Sequence, residues 1–291
     1  MAPNLTSAVD LHVHSTRSDG SFTPTELVNY AIEKGLRAFA LTDHDTVDGL
    51  EEAFEAAKGK DIRVIPGIEF STEYLKKDVH IVGLFIDYTT PTFKEYLEQF
   101  IQSRDTRNDK LCDKLRTDAN IDISYEALVE RFPDAVITRA HYAKYLLEHG
   151  YVKCLSEAFD RYLGDHTPYY IPREKVTPEK AIELILAAKG VPVLAHPTLY
   201  HLGATELDKL VHKLKDAGLV AIEGIYSTYD TRDTREMHEI AQKYGLLISG
   251  GSDFHGTNKP NLDLGNGYGK LYIPQQILTD LEDYRVKHIL T

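Results

Sequence analysis

Nine side chains that can bind metal ions lie within or just after short apolar segments of this 291-residue chain. His12 and His14 form a His-x-His pair, and residues two apart on a strand face the same side, so both imidazoles can reach one cation. A lone buried histidine is more often a core residue than a ligand, but the repetition of the pattern outweighs that interpretation. The predicted ligand set is His12, His14, Asp19, His44, Glu69, His80, His196, Asp253 and His255.

The ligand types indicate which metals and which reaction to expect. Imidazole mixed with carboxylate fits Zn, Mn or Fe better than Mg or Ca, which prefer shells made only of oxygen. Nine ligands exceed the needs of one four-coordinate ion and predict two or three ions that share a bridging carboxylate. Such centres generate hydroxide near neutral pH and stabilise both the attacking and the leaving oxygen of a phosphoryl displacement. We therefore expect phosphoester hydrolysis through attack by a metal-bound hydroxide.

Buried strands separated by helices must position these side chains. The apolar segments cover residues 9–13, 38–41, 62–65, 79–86, 191–195, 220–225 and 246–249, which predicts about seven strands. Continuous apolar runs are typical of a parallel sheet covered on both faces. Helical patterns fill most of the gaps, and one begins with a capping box at Thr23 and Glu26. The alternation predicts an α/β barrel or a doubly wound sheet, whose carboxyl strand ends form the active-site face.

Residues 88–190 interrupt this alternation. They contain no convincing strand and at least four helical patterns, at residues 91–116, 125–132, 139–149 and 178–189. A structureless loop of that length is improbable inside a compact domain. We therefore predict a catalytic barrel formed by residues 1–87 and 191–291, with residues 88–190 inserted as a helical cap subdomain.

Composition and charge argue against several classes of protein. Hydrophobic residues make up 42% and charged residues 27% of the chain, which is ordinary globular usage. The two cysteines, Cys112 and Cys154, form neither a disulfide framework nor a Cys-x-x-Cys metal site. No segment approaches the roughly 20 apolar residues of a membrane span, and the first residues do not resemble a secretory signal, so we expect a cytoplasmic protein. The net charge of −12 argues against binding to duplex DNA.

Six motifs in order resemble the PHP (polymerase and histidinol phosphatase) superfamily across residues 10–269. They are DLHVHSTRSDG, LTDHDTVDG, VIPGIEFSTEY, DVHIVGLFID, VPVLAHP and ISGGSDFHG. They are most similar to its stand-alone phosphoesterase branch, whose members act on nucleoside monophosphates, on 3′,5′-bisphosphonucleotides or, as 5′-to-3′ exoribonucleases, on short RNA.

The resemblance implies a distorted (β/α)₇ TIM-like barrel with a trinuclear metal centre. One metal would be held by His12, His14, Glu69 and Asp253, and a second by Asp19, His44 and His255. Glu69 would bridge to a third metal held by His80 and His196. Asp19 stands where some histidinol-phosphatase relatives carry histidine, which ranks histidinol phosphate below nucleotides as the substrate.

The segment at residues 137–172 resembles the helical cap of that branch. The resemblance implies that Arg139 and His141 face the substrate phosphate and act in catalysis together with Asp253 and His255. Arginine offers a planar fork for phosphate oxygens, and histidine can hydrogen-bond the same group or carry a proton. From the residues alone, the preferred interpretation of Arg139 is an exposed side chain that opens a helix. Ala140 departs from the proline often found in the branch, and IEGIYSTYD at residues 222–230 departs from its usual aromatic and histidine-containing stretch.

Three further residues are weaker candidates. Tyr170 could stack on a nucleobase, with a rigid connector as the alternative, and Arg17 could contact a phosphate, with a solvated loop arginine as the alternative. Glu223 ends the sixth strand on the same edge and is a candidate for orienting a ligand, but no spacing places it in the metal set.

These observations predict a metal-dependent phosphoesterase. The expected substrate is a nucleoside 5′-monophosphate, a 3′,5′-bisphosphonucleotide or a short 5′-phosphorylated oligonucleotide, with no membrane partner and an open oligomeric state. The alternatives are a phosphatase for histidinol phosphate or another small phosphomonoester and, outside enzymes, a metal or nucleotide sensor.

Overall fold

The computed structural model describes residues 7–171 and 177–291. Its seven strands form one sheet in chain order: β1 (Val9–Val13), β2 (Ala38–Leu41), β3 (Arg63–Tyr74), β4 (Lys77–Leu84), β5 (Val191–Leu194), β6 (Ala221–Tyr226) and β7 (Leu247–Gly251). The sheet returns on itself, because Phe254, just after β7, bridges Val13 in a parallel sense. The backbone N–H of Asp253 also donates to the carbonyl of His12 at 2.9 Å. The fold is therefore a distorted (β/α)₇ barrel, as predicted.

Ten α-helices accompany the strands in the described residues: α1 (Pro24–Glu33), α2 (Leu50–Ala57), α3 (Pro91–Ala119), α4 (Tyr125–Arg131), α5 (Arg139–Glu148), α6 (Leu155–Ala158), α7 (Pro178–Ala187), α8 (Ala204–Asp216), α9 (Thr231–Tyr244) and α10 (Gln275–His288). The capping box before α1 is confirmed, since Thr23 N–H donates to Glu26 Oε2 at 2.8 Å and Glu26 N–H to Thr23 Oγ1 at 3.2 Å. The four helices expected between β4 and β5 are confirmed as α3, α4, α5 and α7. No helix in the described part of the chain combines the length and apolarity that a membrane crossing requires.

The apolar runs favoured a parallel sheet, and the structure departs from this at β4, which runs antiparallel to both β3 and β5. Leu75 and Lys76 connect β3 to β4 with φ angles of 51° and 62°. Two consecutive positive φ angles form the tight hairpin turn that joins antiparallel strands. An apolar run does not reveal strand direction. The reversal places His80, near the start of β4, beside the carboxyl end of β5, where its carbonyl accepts the N–H of Ala195 at 3.1 Å.

The segment between β4 and β5 packs in two places. The start of α3 and most of α7 join the barrel core, through residues such as Phe93 and Ile182. The end of α3 with α4, α5 and α6 builds a separate core around Leu115, Tyr142 and Leu146. A cap with its own core therefore emerges from helices anchored on the barrel. The domain boundaries at residues 88 and 190 stay a prediction.

Candidate active site

All nine predicted metal ligands meet at the carboxyl end of the barrel. Eight of them are buried, and His80 is partly exposed. Their donor atoms form four overlapping groups, each with atoms within 4.8 Å of one another: His14, Asp19, His44 and His255; His12, His14 and Asp253; His12, Glu69 and His196; and His44, Glu69 and His80.

Glu69 lies at the centre of these groups. Its two carboxylate oxygens are 2.8 to 3.2 Å from ring nitrogens of five histidines: His12, His14 and His44 at Oε2, and His80 and His196 at Oε1. A carboxylate whose two oxygens face different imidazole groups has the arrangement of a bridging ligand.

The residues present fit divalent cations. Nε2 of His12 and Nε2 of His14 are buried and make no hydrogen bond, although buried nitrogens are normally paired. Both atoms lie beside carboxylate oxygens of Glu69, at 3.2 Å. Ring nitrogens without a hydrogen bond, aimed at carboxylate oxygens, form the donor set that Zn, Mn or Fe takes.

Burial and neighbouring charges shift the pKa values of several of these residues. Burial opposes protonation of His14, but the adjacent carboxylates of Asp253 and Glu69 raise its pKa to about 9. Burial lowers the pKa of His44 to about 3. Nearby histidines outweigh burial at Asp19 and hold the pKa of that carboxyl well below its usual range. The carboxylates are therefore ionised at neutral pH, while a proton on His14 competes with a cation for its ring nitrogens.

Barrel residues outside the predicted ligand set form hydrogen bonds with several of the predicted metal ligands. Glu223 Oε1 lies 2.8 Å from Nδ1 of His12, and Glu223 Oε2 accepts the backbone N–H of His196 at 2.5 Å. The Tyr226 hydroxyl and Lys259 Nζ donate to Oδ2 of Asp253 at 2.6 and 2.5 Å. Sequence reasoning missed Tyr226 and Lys259. Tyr226 at least lies in the divergent stretch at residues 222–230, whereas Lys259 carries no signal.

A cavity of about 670 Å³ opens above the ligands. The cap supplies apolar wall residues, including Phe132, Leu155 and Phe159. Although the whole chain is strongly acidic, the described wall also carries six basic side chains: Arg104, Arg107, Arg131, Arg139, Lys144 and Lys259. The cavity thus combines a metal-binding floor with walls that suit a ligand both anionic and partly apolar.

Arg139 and His141 both line this cavity. Arg139 forms an ion pair with Asp78 and donates to the carbonyl of Leu163 at 3.1 Å. His141 Nδ1 accepts the N–H of Thr138 at 3.0 Å, and burial lowers the pKa of its imidazole to about 4. His141 is therefore neutral at physiological pH. The catalytic roles of both residues stay predictions.

The structure does not bring Tyr170 or Arg17 to the described cavity wall. Tyr170 lies behind Arg139, with its hydroxyl 3.4 Å from Asp78 Oδ1 and its ring centroid 6.0 Å from the guanidinium. Arg17 turns toward α2, where it pairs with Glu52 at 3.1 Å. Tyr170 therefore contacts Asp78, which itself lines the cavity, while Arg17 is held at α2 by Glu52. Pro172, the last residue of the cap motif, lies outside the described residues.

The chain is similar in sequence and in structure to known proteins that cleave phosphoesters. The PHP domain profile matches residues 10–191. A 5′-3′ exoribonuclease from Haemophilus influenzae is 39% identical over 251 residues, covering 86% of this chain and 91% of the relative. A 3′,5′-nucleoside bisphosphate phosphatase from Chromobacterium violaceum is 34% identical over 263 residues, covering 89% and 90%. A structure from Bifidobacterium adolescentis, assigned as a metal-dependent phosphoesterase, superposes with a TM-score of 0.81 at 27% identity, covering 94% of this chain and 95% of the other.

Proposed function

The chain belongs to the PHP domain family and is a metal-dependent phosphoric ester hydrolase, and we propose that it removes a terminal phosphate from a nucleotide or a short 5′-phosphorylated oligonucleotide. The observation that carries this proposal is the cavity, whose ligand-rich floor adjoins apolar and basic walls. The named activities of the relatives, an exoribonuclease and a nucleoside bisphosphate phosphatase, support the same substrate class.

We propose two to three ions of Mn, Zn or Fe at the floor. His12, His14, Glu69 and Asp253 would hold one, while Asp19, His44 and His255 would hold another. A third would lie between Glu69, His80 and His196. The donor group of His14, Asp19, His44 and His255 supports the second position, and His14 also lies in a group with His12 and Asp253. The third position is supported by Oε1 of Glu69, which faces both His80 and His196. Cations bound there supply Lewis acidity and positive charge to the phosphoryl group.

The protein's own groups then bind and orient the substrate. Arg139, the proposed phosphate ligand, must exchange its pairing with Asp78 for phosphate oxygens. His141 holds its Nδ1 against Thr138, so only its Nε2 face can meet the substrate. Lys259 brings a positive charge to the cavity beside Asp253. Together these groups fix one phosphate over the floor.

The far side of the cavity favours a nucleotide over a small phosphomonoester. A volume of about 670 Å³ leaves room well beyond one phosphate. Phe132, Leu155 and Phe159 offer an apolar surface for a base. Lys144 Nζ lies 5.6 Å from the centroid of the Phe132 ring, and no described carboxylate forms an ion pair with it. A cation beside an aromatic ring suits a second phosphate next to a base.

The test is phosphate release by Mn-reconstituted protein, with and without chelator. The substrates are adenosine 5′-monophosphate, adenosine 3′,5′-bisphosphate, a 5′-phosphorylated trinucleotide, ribose 5-phosphate and histidinol phosphate. Chelator-sensitive preference for one of the three nucleotides supports the proposal and identifies the leaving group. Equal turnover of ribose 5-phosphate, or turnover of histidinol phosphate alone, would overturn it. Metal binding without turnover of any substrate would instead indicate a sensor.

A further inference from the structure

We propose that the helical cap is a working part of the metal centre, because Thr138 positions Asp19 and Arg104 positions His44 through Ser71. Affinity for one cation then depends on contacts that only the cap provides. The inference rests on the proposed metal centre and extends it to residues outside the barrel.

Thr138, the residue before α5, donates its hydroxyl to Asp19 Oδ2 at 3.0 Å and accepts the N–H of Ala140 at 3.2 Å. The nearby Nδ1 of His141 already accepts the backbone N–H of Thr138, which leaves the hydroxyl proton to Asp19. Thr138 is 5% exposed and Asp19 6% exposed, so water does not readily replace this bond. Asp19 Oδ1 meanwhile faces Nε2 of His255 at 3.2 Å. The cap thus holds the Asp19 oxygen that faces His44, at 3.8 Å, while the other oxygen meets His255.

Arg104 makes the second connection from α3. Its Nη2 donates to Ser71 Oγ at 2.7 Å, and Ser71 Oγ lies 3.2 Å from Nδ1 of His44. Arg104 Nε also donates to Asp45 Oδ2 at 2.9 Å, and Asp45 Oδ1 accepts the N–H of Ser71 at 3.0 Å. Arg104 is only 2% exposed. A buried arginine from the cap therefore holds Ser71 against the His44 ring.

Both contacts converge on a single group of donors. Asp19 and His44 belong together with His14 and His255 in one set of atoms within 4.8 Å. The described contacts behind His12, His196 and Asp253 come instead from barrel residues: Glu223, Tyr226 and Lys259. The cap thus acts mainly on this donor group, although His44 also belongs to the group with Glu69 and His80, and the barrel holds the other ligands.

Contacts behind the ligands matter because they fix the orientation of the donor atoms, and their loss typically lowers metal affinity 10- to 100-fold. Removing the Thr138 hydroxyl frees Asp19 to rotate but leaves all nine ligands in the chain. Weaker binding of one cation, with the others unchanged, is therefore the expected result. A purely structural role for Thr138 would lower stability without changing metal stoichiometry.

The test compares Thr138→Val with Thr138→Ser, which keeps the hydroxyl. Thr177→Val is the matched control, because Thr177 caps α7 by accepting the N–H of Lys180 at 3.3 Å and lies in none of the ligand groups. Chelator-stripped proteins are titrated with Mn²⁺ by calorimetry, and bound Mn is measured after dialysis by mass spectrometry. For Thr138→Val we expect one Mn equivalent to bind 10- to 100-fold more weakly. Thr138→Ser and Thr177→Val should match the wild type.

Unchanged Mn²⁺ binding by folded Thr138→Val would overturn the proposal for Thr138. If that variant does not fold, Ser71→Ala decides, because it removes the bridge from Arg104 to His44 and should cost the same equivalent. Failure of the wild type itself to bind Mn²⁺, Zn²⁺ or Fe²⁺ would instead refute the metal centre. A wild type that binds several cations beside variants that bind them equally refutes only the role of the cap.

Discussion

Glu223 Oε1 lies 2.8 Å from Nδ1 of His12, on the opposite side of the imidazole from Nε2, which faces Glu69 at 3.2 Å. With the ring proton on Nδ1, this contact leaves the Nε2 lone pair directed at the ligand groups. The other oxygen of Glu223 accepts the backbone N–H of His196. A single carboxylate therefore holds a ligand from β1 and the ligand that follows β5.

Glu223→Gln should weaken metal binding while preserving the fold. The amide keeps the size of the carboxylate but loses its charge, so it holds the His12 ring less firmly. We expect 10- to 100-fold lower Mn²⁺ affinity, measured as the Mn²⁺ concentration that gives half-maximal phosphatase activity. Glu239→Gln, on the exposed face of α9, is the control. Identical Mn²⁺ dependence in both variants would show that Glu223 does not orient His12.

Arg139→Ala should raise KM for a nucleoside monophosphate and lower kcat/KM about 10- to 100-fold, since hydrogen bonds to a charged group contribute about 1.5 to 3 kcal/mol. Asp78→Asn should lower KM, because the guanidinium no longer has to leave an ion pair. Arg161→Ala is the control, because Arg161 pairs with Glu157 on the cap surface. Steady-state kinetics would contradict the role if Arg139→Ala kept the wild-type KM.

His141 should make the protein less stable at mildly acidic pH. Burial lowers its folded-state pKa to about 4, against about 6.5 in the unfolded chain. As pH falls from about 6.5 to 4, the unfolded chain gains a proton that the folded chain does not. Stability present above pH 6.5 is thus lost, with a limiting slope of about 1.4 kcal/mol per pH unit. Urea unfolding of chelator-stripped wild type and His141→Asn should diverge below pH 6.5, and parallel profiles would contradict the burial.

Lys144→Ala should raise KM only for substrates that carry a second phosphate. We expect about a tenfold higher KM for adenosine 3′,5′-bisphosphate, equivalent to about 1.4 kcal/mol, and little change for adenosine 5′-monophosphate. Lys114→Ala serves as the control, since Lys114 pairs with Asp118 on α3 and is not part of the cavity wall. An equal effect of Lys144→Ala on both nucleotides would place the second phosphate elsewhere.

The sequence was sufficient to predict that the nine candidate ligands lie close together, because strand ends leave a local signature. His12 and His14 on one apolar run, and Asp253 and His255 after another, identify their edge of the sheet without any knowledge of long-range contacts. The direction of β4 was not predictable in this way, because an apolar run has the same pattern whether its strand is parallel or antiparallel. His80 nevertheless reaches Glu69, at 2.8 Å, because the hairpin at Leu75 and Lys76 reverses the strand.

Side-chain contacts between residues distant in the chain could not be predicted from the sequence. From the residues alone, Arg17 and Arg139 each fit an exposed arginine, and only the carboxylates beside them, Glu52 and Asp78, show that one lies along α2 and the other in the cavity wall. The contribution of Lys259 to the site is evident only from the structure, in which its amine donates to Asp253 Oδ2. These relationships depend on tertiary packing, which no local pattern encodes.

The closure of the barrel between β1 and β7 also determines when activity can arise. Asp253 and His255 are made more than two hundred residues after His12, and the N–H of Asp253 then bonds the His12 carbonyl. Because chains emerge from the ribosome beginning at the amino end, most of the polypeptide is translated before the last ligands exist. A nascent chain that has not yet reached residue 255 therefore lacks predicted ligands and cannot assemble the complete centre.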